Sequence, residues 1–227
     1  MEGRKVVDEV IHSGCRLEAL LASESYASRQ GLTSAFEIIP DAEMKRLSQF
    51  DTTPGVMAVL DLKPQADWNA KAPLTLAVDG LSDPGNLGTL IRLADWYGLS
   101  QIVASHDTVD AYNAKCIAAS MGSFLRVDVV YCDLIETFQD ARVFGAFLEG
   151  TALYETPFED PCVLLIGSES HGIRQAEGLT RLHRFTIPQW GQAESLNAAM
   201  AAGISLDNAV RRLRENGVPD FALPLSK

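Results

Sequence analysis

Polar side chains that could do chemistry follow three apolar segments of the chain. In LSDPGNLGTLIR, Asn86 follows a Pro-Gly turn, and Arg92 lies six residues later in an otherwise apolar helical turn. Asparagine at such a point can cap free backbone N–H groups, and Gly88 allows another chain or a ligand to approach closely. An arginine in apolar surroundings needs an anionic partner, for which a substrate phosphate is a candidate. The alternative is a well-capped strand-to-helix turn that binds nothing.

The second segment is LLIGSESHGI, in which Gly167 and Gly172 flank Glu169 after a strand-like apolar run. Glycines at the end of a buried strand permit a ligand to approach the backbone, at the edge where open α/β sheets place their sites. A glycine turn that carries a solvated glutamate explains the same residues. This segment alone therefore leaves both interpretations open.

The third segment is IPQWGQAESLNAAMAAGISL, where Ser195 and Asn197 open the last predicted helix and Ser195 is the predicted N-cap. No G-x-G-x-x-G follows a strand, and no G-x-x-x-x-G-K-[ST] is present. The usual phosphate cradles of dinucleotide and nucleoside triphosphate sites are therefore missing. This argues against a nucleotide-dependent oxidoreductase.

Strand and helix patterns alternate from Leu74 onward, which predicts an α/β domain with a parallel sheet over 74–215. The strand patterns are LTLAVDGL, QIVASH, VDVVYC, VFGAFL, VLLIG and RFTIP, and VLLIG is predicted to be buried on both faces. Residues 1–62 predict a smaller α/β unit with LEALLAS and DAEMKRLSQF as helices and FEIIP and VMAVLDL as strands. KPQADWNAKAP (63–73) has the composition of a linker, and 216–227 is a tail.

Composition limits the classes of protein to which the chain can belong. It has 227 residues, is 47% hydrophobic and carries a net charge of -11. No apolar stretch approaches the roughly 18 to 20 residues of a membrane span, and the first residues lack the apolar core of a secretory signal, which predicts a cytoplasmic protein. The four cysteines are dispersed, with no histidine at ligand spacing, so neither a disulfide framework nor a metal site is expected. Because neither half is basic, any nucleic-acid site must be a local patch.

Together the three segments resemble the motifs of the SpoU, or TrmH-like, family of SPOUT RNA methyltransferases. The likeness covers roughly residues 74–215, and residues 1–62 resemble the L30e-like substrate-binding domain of that family. The family patterns N-x-G-x-x-x-R, G-x-E-x-x-G and S-L-N stand here as Asn86, Gly88 and Arg92, then Gly167, Glu169 and Gly172, then Ser195, Leu196 and Asn197.

The resemblance implies a parallel-sheet SPOUT domain with a C-terminal trefoil knot, acting as a homodimer on rRNA or tRNA. The implied reaction moves a methyl group from S-adenosylmethionine to a ribose 2′-hydroxyl. Arg92 is then the catalytic residue; because a guanidinium is a poor base, it grips a phosphate and stabilises the developing alkoxide. Asn86 and Ser195 orient the ribose or Arg92. Glu169 and Asn197 hold the loops of the knot.

The resemblance also implies which residues hold the cofactor, and no metal is implied. These are Gly167, Gly172, Ile187 and Leu196, together with Leu148, Glu149 and Gly150 after the strand VFGAF. Two alternatives within the same fold remain open. One is a SPOUT enzyme that methylates a base, although N-x-G-x-x-x-R combined with S-L-N favours ribose. The other is an RNA-binding or assembly factor that has lost turnover.

Overall fold

The computed structural model describes residues 1–32, 35–62, 64–174 and 176–218, which form two β-sheets with helices packed against them. Most of the predicted tail at 216–227 lies outside the described residues, as does Lys63 of the predicted linker. Within the described ranges, no helix combines the length and the apolar character needed to cross a bilayer. The same ranges contain no group of three or more His, Cys, Asp or Glu side chains placed to hold a metal ion.

The first sheet has three strands in the order β2-β1-β3, with β1 parallel to β2 and antiparallel to β3. Its elements are α1 (Arg4–His12), β1 (Leu17–Ser23), α2 (Glu24–Gln30), β2 (Glu37–Ile39), α3 (Asp41–Leu47) and β3 (Val56–Leu60). The prediction of LEALLAS as a helix is wrong, because these residues form β1. Leucine and alanine favour a helix in isolation, but backbone pairing on both sides and the burial of Ala22 outweigh that preference.

The second sheet has six strands in the order β6-β5-β4-β8-β7-β9, and every pair in it is parallel, as predicted. Its elements are β4 (Leu74–Asp79), α4 (Pro84–Trp96), β5 (Gln101–Ser105), α5 (Ala114–Ser120), β6 (Asp128–Cys132), α6 (Leu134–Thr137), β7 (Val143–Ala152), β8 (Cys162–Gly167), β9 (Leu182–Thr186) and α7 (Ala198–Glu215). The helix predicted near LIETFQDA is a single turn, α6.

The central strands β4 and β8 of the second sheet are buried on both faces. All six residues of β4 are buried, and so are the first five of β8, which confirms the prediction for VLLIG. Side chains alternate between the two faces, so Leu76 and Val78 pack on the side of α4 and α7 while Ala77 packs on the side of α6. Helices on both faces explain why these strands are apolar runs and do not alternate with polar residues.

The predicted linker packs closely against the second sheet. The Trp68 ring meets Phe138 edge-on with the centroids 5.0 Å apart, and Trp68 Nε1 donates to Thr75 Oγ1 at 3.1 Å. The buried face of α1, which includes Val10, belongs to the same hydrophobic cluster as Leu76. The two sheets thus share one core, and the division of the chain at 63–73 into separate domains stays a prediction.

Candidate active site

The three predicted motifs lie at one edge of the second sheet, where its strands end. β4 pairs with β8 so that Asp79 lies opposite Gly167, and β7 and β9 follow β8 in the sheet. Because these strands are parallel, the segments after them leave the sheet at the same edge. The segment after β8, residues 168–174, is called the β8 loop below. Segments far apart in the sequence are therefore neighbours in the structure.

α4 begins at Pro84, and its N-cap is Asp83. Asp83 Oδ1 accepts hydrogen bonds from the backbone N–H of Gly85 at 2.8 Å and from Lys115 Nζ at 2.9 Å. Proline suits the first helical position because its missing N–H would have no partner there. The capping role predicted for Asn86 is therefore wrong, and its side chain contacts the other motifs.

A chain of side-chain hydrogen bonds joins the three motifs. Asn86 Nδ2 donates to Glu169 Oε1, and Asn197 Nδ2 donates to Asn86 Oδ1 at 3.0 Å. Asn197 Oδ1 accepts from the backbone N–H groups of Ala199 at 2.9 Å and Met200 at 3.3 Å, at the start of α7. Asn197 is thus both the N-cap of α7 and the link between the third motif and the first.

The donors and acceptors of these three side chains fix the direction in which the hydrogen bonds run. Asn197 uses its only side-chain oxygen to cap α7, so its amide nitrogen faces Asn86. The oxygen of Asn86 accepts that donor, which turns its own nitrogen towards Glu169. An ionised carboxylate only accepts hydrogen bonds, so every donor in the chain meets an acceptor. The arrangement holds the starts of α4 and α7 against the β8 loop.

Ser195 and Arg92 lie outside this hydrogen-bond chain. Ser195 is exposed two residues before the cap of α7, so its predicted capping role is wrong. Arg92 is exposed on α4, about 9 Å along the helix axis from Asn86 and rotated from it by about 120°. Neither side chain forms a hydrogen bond or ion pair with another described residue. The guanidinium of Arg92 is therefore available to an anionic ligand.

Two motif glycines are required by the protein's own backbone. A Cβ on Gly88 would overlap the carbonyl of Cys116 and lie 2.7 Å from the Cβ of Ala119, so this glycine allows α4 to pack directly on α5. A Cβ on Gly167 would overlap the backbone of Gly172, because the β8 loop folds back over the end of its strand. The close approaches seen at these two glycines are made by neighbouring parts of the same chain, and the role of Gly167 in holding a cofactor stays a prediction.

Residues 148–150, predicted to hold a cofactor, form a bulge in β7. This strand keeps its register with β9 up to Ala146 and resumes pairing at Thr151. A Cβ on Gly150 would lie 2.6 Å from the carbonyl oxygen of Arg184, so only glycine fits where the bulge returns to β9. Bulges commonly turn side chains towards a site.

Apolar and acidic side chains are exposed together at this edge. Leu148 in the bulge is 79% exposed, Leu196 just before α7 is also exposed, and Ile187 after β9 is half-buried. Glu149 and Glu169 are exposed in the neighbouring segments. Exposed apolar side chains suit a flat apolar group such as a purine, and the carboxylates suit a cationic one.

A buried carboxylate and its arginine were not predicted from the sequence. Asp79 at the end of β4 is fully buried, and Arg174 Nη2 donates to its Oδ1 at 2.7 Å. Arg174 Nη1 also lies 2.6 Å from Asp107 Oδ2. Hydrogen bonds from Arg174 and then Ser105 lower the pKa of Asp107 to about 2, so this carboxyl is ionised at neutral pH. A signal was present, because an aspartate that ends the apolar run LTLAVD needs a partner.

A cavity of about 410 Å³ lies at the opposite edge of the sheet, where the strands begin. Thr75 of β4 and Cys162 of β8 line it, together with Arg142 and Arg181. None of the predicted site residues does so. The candidate active site is therefore the open edge at which the strands end.

The family of the chain follows from its sequence as well as from this geometry. The profile of the SpoU rRNA Methylase family matches residues 73–207, a range that contains all three motifs. The chain belongs to the SpoU rRNA methylase family. The resemblance based on the motif residues is thereby confirmed.

Individual relatives agree with this assignment. The chain is 30% identical to the 23S rRNA (guanosine(2553)-2'-O)-methyltransferase RlmP of Bacillus subtilis strain 168. The alignment spans 213 residues and covers 90% of this chain and 85% of RlmP. The structure of a TrmH-family protein from Porphyromonas gingivalis is 34% identical to this chain and superposes with a TM-score of 0.77. The match covers 93% of this chain and 89% of the Porphyromonas chain. The SpoU methyltransferase AviRb from Streptomyces viridochromogenes, solved with the cofactor AdoMet, is 27% identical, with a TM-score of 0.76 over 96% and 90%.

Proposed function

We propose that this protein transfers a methyl group from S-adenosylmethionine to a ribose 2′-hydroxyl of RNA, and that its RNA is ribosomal. The observation that carries the proposal is the hydrogen-bond chain Glu169–Asn86–Asn197, which joins three motifs of a methyltransferase family at one edge. The name of the relative RlmP supports 23S rRNA as the substrate class. The AdoMet complex of AviRb supports the cofactor.

S-adenosylmethionine fits the side chains at this edge. Leu148, Ile187 and Leu196 offer apolar surface to an adenine, and Glu149 and Glu169 offer negative charge to a cationic sulfonium. When bound, S-adenosylmethionine supplies an electrophilic methyl group. Gly172 in the β8 loop and Gly150 in the bulge of β7 set the backbone conformation around the proposed cofactor site.

The residues of the protein have to hold the ribose and stabilise the charge on its oxygen. Arg92 binds the target phosphate and lowers the energy of the developing alkoxide, since a guanidinium keeps its protons at any ordinary pH. Asn86 and Ser195 orient the ribose or Arg92. Asn197 and Glu169 keep α4, α7 and the β8 loop in register, so the reacting groups meet in one geometry.

The proposed reaction is tested with purified protein, radiolabelled S-adenosylmethionine and deproteinised ribosomal RNA from a strain that lacks the gene. We expect label in RNA and, after digestion, in a 2′-O-methyl nucleoside found by mass spectrometry. Label in a methylated base would assign the alternative base-methylating chemistry. Binding of RNA and cofactor with no transfer would assign the alternative of an assembly factor without turnover, and tRNA as the better acceptor would contradict the proposed substrate.

Residues 1–62 are proposed to recruit the RNA, as the L30e-like resemblance implies. Exposed basic side chains at the ends of two helices support this role: Arg29 closes α2, and Lys45 and Arg46 close α3. Exposed basic side chains can bind phosphates even though the chain as a whole is acidic. The trefoil knot, the L30e-like fold and the cytoplasmic location stay predictions.

A homodimer is proposed because α4 and α7 expose apolar side chains next to each other. Trp96 is 83% and Met200 60% exposed, and Ile204 lies one turn after Met200 on α7. The two helices are neighbours, since a Cβ on Gly203 would lie 3.6 Å from Leu93. Large apolar side chains exposed on two neighbouring helices support an interaction site there, and Arg92 lies one turn before Trp96 on α4. A partner subunit at this face could share the RNA site.

Ile204→Glu is expected to convert the dimer to a monomer and to lower methyl transfer, because a carboxylate would be buried in the apolar interface. Light scattering at micromolar concentration measures assembly, and the methyl-transfer assay measures activity. Leu62→Glu is the matched control, since Leu62 is also an exposed apolar residue and follows β3 of the first sheet. An unmodified protein that is monomeric and fully active would contradict the proposed dimer.

A further inference from the structure

Arg174 ties the end of the β8 loop to the ends of two neighbouring strands. Its backbone N–H donates to Asp79 Oδ2 at 2.6 Å, and its Nη2 donates to Asp79 Oδ1 at 2.7 Å. The same guanidinium holds both oxygens of Asp107, at 2.6 and 2.9 Å. Ser105 Oγ donates to Asp107 at 2.7 Å and accepts from the backbone N–H of Gly80 at 2.8 Å. One arginine therefore joins the β8 loop to β4 and β5.

The β8 loop is held at both of its ends. It leaves the sheet at Gly167, which lies opposite Asp79 in the register of β4 and β8. Inside the loop, Ser168 and Gly172 exchange backbone hydrogen bonds of 3.1 and 2.9 Å. Glu169 lies between these two residues, at the exposed part of the loop, and contacts Asn86. The position of the Glu169 carboxylate thus depends on anchors on either side of it.

We propose that Arg174 is a positioning residue. It fixes the β8 loop so that Glu169 keeps its hydrogen bond to Asn86, and the loop is already in the conformation that binds the cofactor. The inference rests on the proposed function. Its warrant is that Arg174 is the last residue of the loop and binds Asp79, which lies opposite the residue from which the loop leaves β8. Gly80 adds to this warrant, because a Cβ there would overlap the guanidinium.

A purely structural role for Arg174 would be to neutralise the buried Asp79. That role predicts lower stability of the whole protein and no special effect on the β8 loop. A positioning role predicts a local change in the loop and an effect on ligand binding that depends on Glu169. The two roles are therefore distinguishable in the intact, full-length protein.

The first test measures hydrogen exchange of the amides at 168–173 in the ligand-free protein. Arg174→Ala is expected to speed their exchange by about tenfold or more, because the local opening of the loop loses its anchor. Arg126→Ala is the matched control, since Arg126 is similarly exposed (42% against 38%) and similarly paired, with Asp95 and Glu9. Equal acceleration of the loop in both variants, or none in Arg174→Ala, would overturn the proposal.

The second test is a double-mutant cycle on the dissociation constant of S-adenosylmethionine, measured by calorimetry. Arg174→Ala is expected to weaken binding about tenfold in the otherwise unmodified protein and less than about twofold when Glu169→Ala is already present, since residues of one network are not additive. Arg174→Lys keeps the charge and should restore part of the affinity. An equal loss in both backgrounds would show that Arg174 does not act through Glu169.

Neither measurement requires RNA or methyl transfer. The exchange experiment can contradict the role of Arg174 while the proposed methyltransferase activity stands. Conversely, absence of methyl transfer to ribosomal RNA would contradict the proposed function and leave the loop measurement unchanged.

Discussion

Replacing Arg92 by alanine is expected to lower methyl transfer by about 10²- to 10³-fold, the usual loss when a donor to a developing oxyanion is removed. Arg92 is exposed on α4 and has no partner among the described residues, so its proposed partner is the RNA. The affinity for S-adenosylmethionine should therefore stay within a few-fold. Single-turnover rates with saturating RNA and calorimetry with the cofactor alone measure the two quantities.

Two further variants make the result specific to Arg92. Arg92→Lys keeps the charge but loses the planar fork, so it should recover only part of the rate. Arg211→Ala removes another exposed helical arginine, which pairs with Glu215 at 2.7 Å near the end of α7, and should leave the rate within about twofold. A normal rate in Arg92→Ala would remove Arg92 from the catalytic assignment.

Asn197→Asp is expected to lower methyl transfer by about ten- to a hundredfold while leaving α7 intact. An aspartate still accepts the backbone N–H groups of Ala199 and Met200, and its charge suits a helix N-terminus. It has no donor for Asn86 Oδ1, and an acceptor that loses its donor where water is excluded costs about 1–3 kcal/mol. Transfer rates and urea denaturation of the same preparations separate the two functions of Asn197.

The control for this variant is another asparagine cap. Asn113 caps α5 by accepting from the backbone N–H of Lys115 at 2.9 Å, so Asn113→Asp should leave both stability and rate nearly unchanged. Asn197→Ala should lose about 1 kcal/mol of stability in addition to the activity, because the cap itself is removed. If Asn197→Asp retained the full rate, the bond from Asn197 to Asn86 would have no catalytic consequence.

The strands of the second sheet could be predicted from the sequence because helices cover both of its faces. Burial on both sides produces short apolar runs such as VLLIG, bounded by glycine and polar residues, and such runs are recognisable locally. LEALLAS could not be assigned in this way, since its composition suits a helix and only its pairing with β2 and β3 makes it a strand. Strand order was also inaccessible, because no local pattern encodes which strands become neighbours.

The motif residues could be found from their types and spacing, but two of their roles could not. Asp83 and Asn86 are both good N-cap residues, as are Ser195 and Asn197, and only the packed backbone decides which member of each pair begins the helix. The anchor at Arg174 was invisible for another reason. It is 95 residues away from Asp79 in the chain, and the β4–β8 pairing alone brings the two together.

The sequence distances across the hydrogen-bond chain also bear on how the protein becomes active during synthesis. Asn197 is separated from Asn86 by 111 residues, and Glu169 from Asn86 by 83. Contacts of such long range form late, because they require most of the chain to be collapsed first. A nascent chain still missing α7 contains Arg92 but lacks the contact that aligns the first and third motifs. The hydrogen-bond chain that joins the three motifs is therefore complete only after α7 has been synthesised and has packed beside α4.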